Sequence, residues 1–501
     1  MKTDPGFFPT ISIENDGSIP IYRQLYDWVR NAILTGRLRP GQRVPSSRQL
    51  ASELSVSRTT ILGALEQLIA EGYLESFIGS GTFVTKSIPE HATRLVREGS
   101  SPTIAGARRG IRQVSRPAAQ LLSLLPPPLL SAHRSGIGAF RVGLPALDHF
   151  PISIWSRLVA RRWRQPRKEM MTYGDPMGFL PCREAIAEYL GVVRGVRCAP
   201  SQVMIVSGSQ QGLAISARVL LDAGDSIWAE EPGYLGGLRV FTAAGNRLVP
   251  IPVDREGLDV EAGIARCRNA RAALISPSHQ FPLGMTMSVS RRTLLLDWAV
   301  RNDSWIIEDD HDSEYRFGSR PIGSLQGLDV EGRVIYVGTF SKILFPSLRI
   351  GYLVLPNDLV PAFSLIRFAT DIFPSTLDQA VLSDFIREGH LARHIRRMRV
   401  VYMQRHEMLT KEIRKQLGTS FEIVSGNAGI HLVVLLPDGL QDTYVATEAD
   451  RAGVATVPLS ICYQGQPDHQ GLILGYGGVN QKQMQEGVKR LSSVIRACTR
   501  R

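Results

Sequence analysis

A lysine lying between two apolar runs is the residue best placed for covalent chemistry. In VIYVGTFSKILFPSLRIGYLVLP, Lys342 follows a run that reads as a strand (Val334 to Val337) and precedes another (Ile350 to Leu355). Desolvation lowers a lysine's pKa and makes its amine a nucleophile toward carbonyls. Arg349, seven residues on, offers a planar fork suited to a phosphate. In SWIIEDDHDSEY an apolar strand (Trp305 to Ile307) ends in Glu308, Asp309, Asp310, His311 and Asp312. Acidic residues massed where open α/β sheets bind ligands point to a site. Taken alone, that cluster reads equally as a metal site or a solvated loop. VMIVSGSQQGLAISARVLL is a strand (Val203 to Val206) that enters a helix through Ser207, Gly208, Ser209 and Gln210. The amides of such a small-residue turn suit a phosphate. In SIWAEEPGYLGG, Tyr234 follows a Glu-Pro-Gly turn, where it is placed either to stack on an aromatic ring or to pack in a core.

One explanation covers the four segments together. A phosphate turn, a stacking Tyr, an Asp and a Lys are what pyridoxal phosphate (PLP) needs, because Asp keeps the pyridine nitrogen protonated and Lys holds the aldehyde. From about residue 139 onward short apolar strands alternate with amphipathic helices, the pattern of a parallel α/β sheet. From about Phe140 to the C-terminus the chain resembles the class I (fold type I) aminotransferases. The resemblance rests on TYGDPMGFLPCREAIAEYL, SGSQQG, EEPGY, SPSHQFPLG, EDDHDSEY and TFSKILFPSLRIGY. It implies that Lys342 forms the Schiff base with PLP, Asp309 pairs with the pyridine nitrogen and Tyr234 stacks on the ring. Ser209, Gln210 and Arg349 would contact the phosphate, with Ser341 beside the cofactor and His279 or Gln280 near the 3-hydroxyl. Tyr173 would reach the phosphate of the other subunit, which implies a homodimer with shared sites. No metal is expected. Two departures stand out. His311 occupies the place where related sequences usually carry a Tyr that donates to the 3-hydroxyl, and imidazole titrates nearer neutral pH. GLILGYGG, around Leu472 to Gly475, lacks the Arg with which many aminotransferases bind a substrate carboxylate, which weighs against ordinary amino-acid transamination.

The N-terminal region has a different texture. Pro20 to about Thr35 reads as a helix with Ile21, Leu25, Trp28, Val29 and Ile33 on one face. Gly36, Pro40 and Gly41 then break it. In PSSRQLASELSVSRTTILGALEQLIAEGYL, Ser46 or Ser47 caps a helix holding Leu50, Ala51 and Leu54. Ser57 caps a third helix that buries Ile61, Ala64, Leu65 and Leu68. Two helices joined by so short a turn make a helix-turn-helix, and the first turn of the second offers Arg58, Thr59 and Thr60 to phosphates or base edges. GYLESFIGSGTFV reads as a hairpin wing around Gly79-Ser80-Gly81. A small bundle with a hairpin and no DNA is the plain alternative. Residues 18–86 resemble the GntR family of winged helix-turn-helix repressors through RPGQRVPSSRQLASELSVSRTTI, EGYL and GSGTFV. That resemblance implies DNA contacts from Arg48, Ser57, Arg58 and Thr59, and from the wing at Gly81.

Composition bounds these readings. A chain of 501 residues suggests two to four domains at roughly 100–200 residues each. The 44% apolar and 21% charged fractions fit a soluble globular protein. A net charge of +12 suits a polyanionic partner, although a basic enzyme would show the same balance. The five cysteines form no C-x-x-C pair, which argues against a disulfide framework or a zinc site and for a reducing compartment. MKTDPGFFPT has no signal-peptide run, and LLSLLPPPLLS is too short and too proline-broken to span a membrane. A cytoplasmic protein with no membrane partner is therefore expected. Residues 87–138, rich in Arg, Ser and Pro, read as a linker. The expected fold is an α+β winged helix-turn-helix domain (18–86) followed by an α/β fold type I domain (139–501) with a smaller C-terminal α+β subdomain. This fusion resembles the MocR subfamily of GntR-type regulators. The resemblance implies a transcription regulator rather than an enzyme, with double-stranded DNA as partner, which senses PLP or an amine or amino acid through the cofactor. The rivals are a genuine PLP-dependent aminotransferase with an incidental N-terminal module, and a DNA-binding protein whose large domain only dimerises.

Overall fold

A computed structural model describes residues 19–86, 114–124, 139–164, 168–317, 322–419, 421–424 and 428–499. Residue 18 and the linker stretches 87–113 and 125–138 lie outside the described residues. The chain divides into two compact units, Met1–Gln113 and Val114–Arg501.

The first unit holds α1 (Ile21–Leu34), β1 (Arg43–Val44), α2 (Ser47–Leu54), α3 (Arg58–Ala70), β2 (Leu74–Phe77) and β3 (Gly81–Val84), with sheet order β1-β3-β2. Serines start the two short helices. Ser46 Oγ accepts from the Gln49 amide at 3.3 Å and Ser57 Oγ from the Thr60 amide at 3.1 Å, so Ser46 rather than Ser47 is the first cap. Ser55 ends α2 at φ +56, a left-handed stop that turns the chain into α3. Leu25, Val29 and Ile33 of α1 meet Leu50, Ile61, Leu65, Leu68, Leu74 and Val84 in one core. Burying each such side chain contributes about 1.5–3 kcal/mol. Ala51 and Leu54 only edge this core. The strand β1 was not anticipated from sequence. It forms because Gly41, at φ +76, turns the chain back so that Arg43–Val44 can pair with β3. The Tyr26 hydroxyl donates to the Glu71 carboxylate and ties α1 to the end of α3.

The second unit begins with a helix, Arg116–Leu124, inside the segment read as linker. Pro at its start and Ala and Leu along it suit a helix, which packs on the helix Leu235–Ala243. The main sheet contains β4 (Val203–Val206), β5 (Ser226–Glu231), β6 (Arg247–Asp254), β7 (Gly257–Leu258), β8 (Ala272–Ile275), β9 (Trp305–Asp310), β10 (Val334–Thr339) and β11 (Gly351–Val354). Their order is β4-β11-β10-β9-β8-β5-β6-β7. The sheet is mixed, because β11 and β7 run antiparallel to their neighbours. The link from β10 to β11 is too short for the crossover that a parallel neighbour requires. Helices cover both faces: Ile307, Val337 and Leu353 join one core cluster, and Trp228, Ile306 and Trp298 another. Burial on two sides explains why β4, β8 and β10 read as unbroken apolar runs.

A smaller antiparallel sheet, β12 (Ile423–Val424), β13 (His431–Leu435), β14 (Val457–Pro458) and β15 (Gly471–Gly475), has the order β12-β13-β15-β14. Its attendant helices are His390–Leu417, Asp442–Arg451 and Gln481–Thr499. Among the described residues no helix is long and apolar enough to cross a membrane.

Candidate functional site

The strands β9 and β10 run parallel with Val337 opposite Asp309, so both end at the same edge of the sheet. That edge receives Asp309 to Asp312 from β9 and Ser341-Lys342 from the turn after β10. The ends of β4, β5 and β8 open toward Gly208–Gln210, Tyr234 and Ser276–Gln280.

Lys342 donates from Nζ to the Gly143 carbonyl at 3.0 Å. Burial pushes its amine below the ordinary lysine range, while Asp312 and Asp309 pull the other way. Gly143, at φ +78, leaves the room: a Cβ there would stand 2.3 Å from Nζ. Asp309 is 4% exposed, and its Oδ1 is buried without a hydrogen-bond partner. Burial raises its carboxyl to about 6, with His311 and Lys342 opposing and Asp310 and Asp312 reinforcing. A buried acceptor without a donor is costly, so this oxygen calls for one.

Asp312 stands behind. Its burial opposes ionisation, but His279 and His311 hold its carboxyl far below the usual range. His279 Nδ1 lies 2.8 Å from Asp312 Oδ1 in a hydrogen bond. His311 Nε2 lies 3.4 Å from the same oxygen without hydrogen-bond geometry, buried and unpartnered. The three ligand atoms fall within 4.8 Å of one another, a spacing that would also admit a metal ion. Gln280 spends its amide on Pro232 O (2.7 Å) and Glu230 (3.4 Å), so His279, not Gln280, shares the His311 cluster.

The small-residue turn is built around Arg349. Gly208 has φ 84 and ψ 165, and a Cβ there would stand 2.9 Å from both terminal nitrogens of Arg349. Arg349 itself is left-handed, exposed, and donates to the Ser207 carbonyl at 2.5 Å. Ser209 and Gln210 begin the helix Ser209–Leu220, and Gln210 Nε2 donates to the Tyr234 hydroxyl at 3.0 Å. Burial pushes that hydroxyl up to about 12, so it stays protonated at neutral pH. Ser341 is nearly buried, its amide donating to Thr339 Oγ1 at 3.2 Å. Tyr173 is apart: it is 84% exposed, with its ring edge-on to Phe373 at 5.9 Å.

Three participants were missed from sequence. Gly143 carried no motif. His431, at the start of β13, brings its ring to 5.4 Å from His279 and 5.1 Å from Phe281. Burial lowers its imidazole to about 3, and a lone polar residue opening the run HLVVL was its only signal. Arg194, 1% exposed, donates to Asp310 at 2.8 Å and to Ser278 Oγ at 2.7 Å, locking the end of β9 to the loop that carries His279.

In the first unit, Arg48, Arg58 and Thr59 are exposed. Arg58 Nε reaches Ser47 Oγ at 3.4 Å across the turn. The Ser57 and Thr60 hydroxyls lie 2.8 Å apart at the helix start, engaged in the cap. Gly81 sits at φ +108 where the wing begins its return strand.

Residues 21–84 match the gntR family of bacterial regulatory proteins, and residues 153–491 match aminotransferase class I and II. The probable rhizopine catabolism regulatory protein MocR of Rhizobium meliloti is 41% identical over 485 residues, 97% of this chain and 96% of that protein. The chain belongs to the MocR subfamily of GntR-type transcription regulators. A second MocR-type relative, the HTH-type pyridoxine biosynthesis transcriptional regulator PdxR of Corynebacterium glutamicum, is 30% identical over 478 residues, 95% of this chain and 96% of that protein. The kynurenine aminotransferase of Pyrococcus horikoshii, solved in complex with PMP, is similar with a TM-score of 0.68 and 29% identity, covering 79% of this chain and 98% of that one. This MocR-type chain is thus a DNA-binding transcription regulator rather than an enzyme, with a winged helix-turn-helix followed by a fold type I aminotransferase-like domain.

Proposed function

We propose that this regulator holds PLP in its aminotransferase-like domain and reads PLP itself, or an amine or amino acid reacting with it, as a change in DNA affinity. The observation that carries the reading is Asp309 Oδ1, buried without a partner in the same site as the desolvated amine of Lys342. An acceptor placed so suits the protonated nitrogen of a pyridine ring. When bound, PLP supplies an aldehyde that an amine can hold covalently and a ring that stores electrons. The chain's own residues do the rest. Lys342 offers an amine whose proton burial has loosened, and the Gly143 carbonyl orients it. Asp309 would hold a proton on the ring nitrogen, and His279 or His311 would serve the 3-hydroxyl. Arg349, Ser209 and Gln210 would form a seat for a phosphate, and Tyr234, whose hydroxyl accepts from Gln210, would stack on the ring.

Two copies would share these sites. Tyr173 stands exposed beside Phe373, and the neighbouring segment exposes Leu365, Phe368 and Ile372, apolar surface that suits a second copy. Arg48, Arg58, Thr59 and the wing at Gly81 would face the duplex, with Ser57 and Thr60 holding the helix start that presents them. Regulation requires that the effector bind the two DNA-affinity states unequally. The test is binding of the full chain to the promoter region beside its own gene, titrated with PLP and candidate amines. Identical affinity and footprint throughout would refute the switch. Lys342→Ala should abolish the visible absorption that PLP gives on the parent protein, and persistence of that band would move the assignment to another lysine.

A further inference from the structure

The root of the wing carries an arginine, Arg43, that lies inside RPGQRVPSSRQLASELSVSRTTI but to which the resemblance assigned no contact. The strand β1 pairs with β3 through Arg43↔Phe83 and Val44↔Thr82. Strand alternation sends Val44 into the core and leaves Arg43 on the outer face. The Arg43 guanidinium lies across Gly81, where a Cβ would stand 3.0 Å from Nε and 3.2 Å from Nη2. Gly81 also has φ +108, a backbone that L side chains rarely adopt. The glycine therefore leaves open the seat that the guanidinium takes.

Arg43 borders a groove of about 790 Å³ that runs between the start of α2, α3 and the wing, lined also by Ser46, Ser47, Glu66 and Thr82. Glu66 shares the groove, yet among the described residues no carboxylate forms an ion pair with Arg43. Ser47, which lines the groove, also accepts from Arg58 Nε at 3.4 Å. An exposed guanidinium whose donors meet no partner among the described residues is available to an anionic partner. In a GntR-type reader that partner is the duplex.

We propose that Arg43 is a further DNA contact, its guanidinium meeting a backbone phosphate beside the wing. The test compares full-length parent, Arg43→Gln and Arg43→Lys on two duplexes, one from the chain's own promoter region and one of random sequence, across a salt series. Arg43→Gln should weaken both duplexes by a similar factor, about tenfold for each bound reader, and reduce the slope of log affinity against log salt by about 0.9 for each bound reader. Arg43→Lys should keep the slope and lose only part of the affinity, since the charge stays and the fork is gone. An unchanged slope in Arg43→Gln overturns the proposal. A loss confined to the promoter duplex overturns the phosphate assignment in favour of base reading. Thermal unfolding is followed in parallel; if Arg43→Gln melts early, the Lys variant decides, and a slope reduced as much there refutes a charge contact.

Discussion

Asp309 is expected to trade stability for cofactor affinity, and Asp309→Asn separates the two. Its carboxyl stands at about 6 against an ordinary 3.8, chiefly through burial. A carboxyl raised in the fold favours the folded state in its neutral form. That contribution is complete below about pH 4 and is lost as pH rises through about 6. The gap corresponds to about 3 kcal/mol at roughly 1.36 kcal/mol per pH unit. Asn carries no charge to desolvate but leaves an amide to satisfy, so about 1–3 kcal/mol of added stability is expected in the cofactor-free variant near pH 7.5. The same change removes the charged acceptor for a ring nitrogen, a bond of about 1.5–3 kcal/mol, or about 10- to 150-fold in PLP affinity. Equilibrium titration with PLP and thermal unfolding of the cofactor-free protein measure both effects. In the parent, PLP affinity should also fall as pH drops below about 6, because Asp309 must then lose a proton to pair. The Asn variant should lack that component. A variant that binds PLP as tightly as the parent, or melts no later without it, refutes the reasoning.

Gly208→Ala should weaken PLP binding about tenfold or more. The added Cβ displaces the Arg349 guanidinium from 2.9 Å and forces alanine into a backbone region that costs about 1–3 kcal/mol; the same PLP titration checks it. Arg58→Ala should cost about 1–3 kcal/mol in binding to the promoter duplex, read by fluorescence anisotropy, while the visible band with PLP stays at parental intensity. Normal duplex affinity in that variant would count against the docking of α3.

What the sequence disclosed depended on how local the cause was. The helix-turn-helix was legible because its determinants lie within a few residues: a serine cap, an apolar face of Ile61, Ala64, Leu65 and Leu68, a glycine turn in the hairpin. Asp309, Lys342, Tyr234 and the Gly208 turn were nominated because each sits in its own short run at the end of a strand. Gly143 and Arg194 were invisible for the opposite reason. Gly143 matters only because it comes within 3.0 Å of a lysine 199 residues away, and Arg194 because it meets an aspartate 116 residues away. The reversed β11 followed from the length of a connection, not from any residue in the strand. The helix Arg116–Leu124 was hidden by the Arg- and Ser-rich stretch before it and the proline run after it, although its own residues favour one.

The energetics of the site also bear on the rival idea that the large domain merely pairs two copies. An unpaired buried oxygen such as Asp309 Oδ1 costs about 1–3 kcal/mol, and a desolvated lysine beside it adds to that burden. Replacing buried charges by packed apolar side chains is often neutral or stabilising, so a scaffold with no ligand gains nothing by keeping them. The strand β15 has taken the apolar course: Leu472, Ile473 and Leu474 are all buried, and it presents no arginine for a carboxylate. The domain thus retains the costly groups suited to gripping a phosphorylated aldehyde, while the strand expected to supply a carboxylate fork is apolar core. That division suits a protein whose output is occupancy, reported to DNA, rather than turnover of an amino acid.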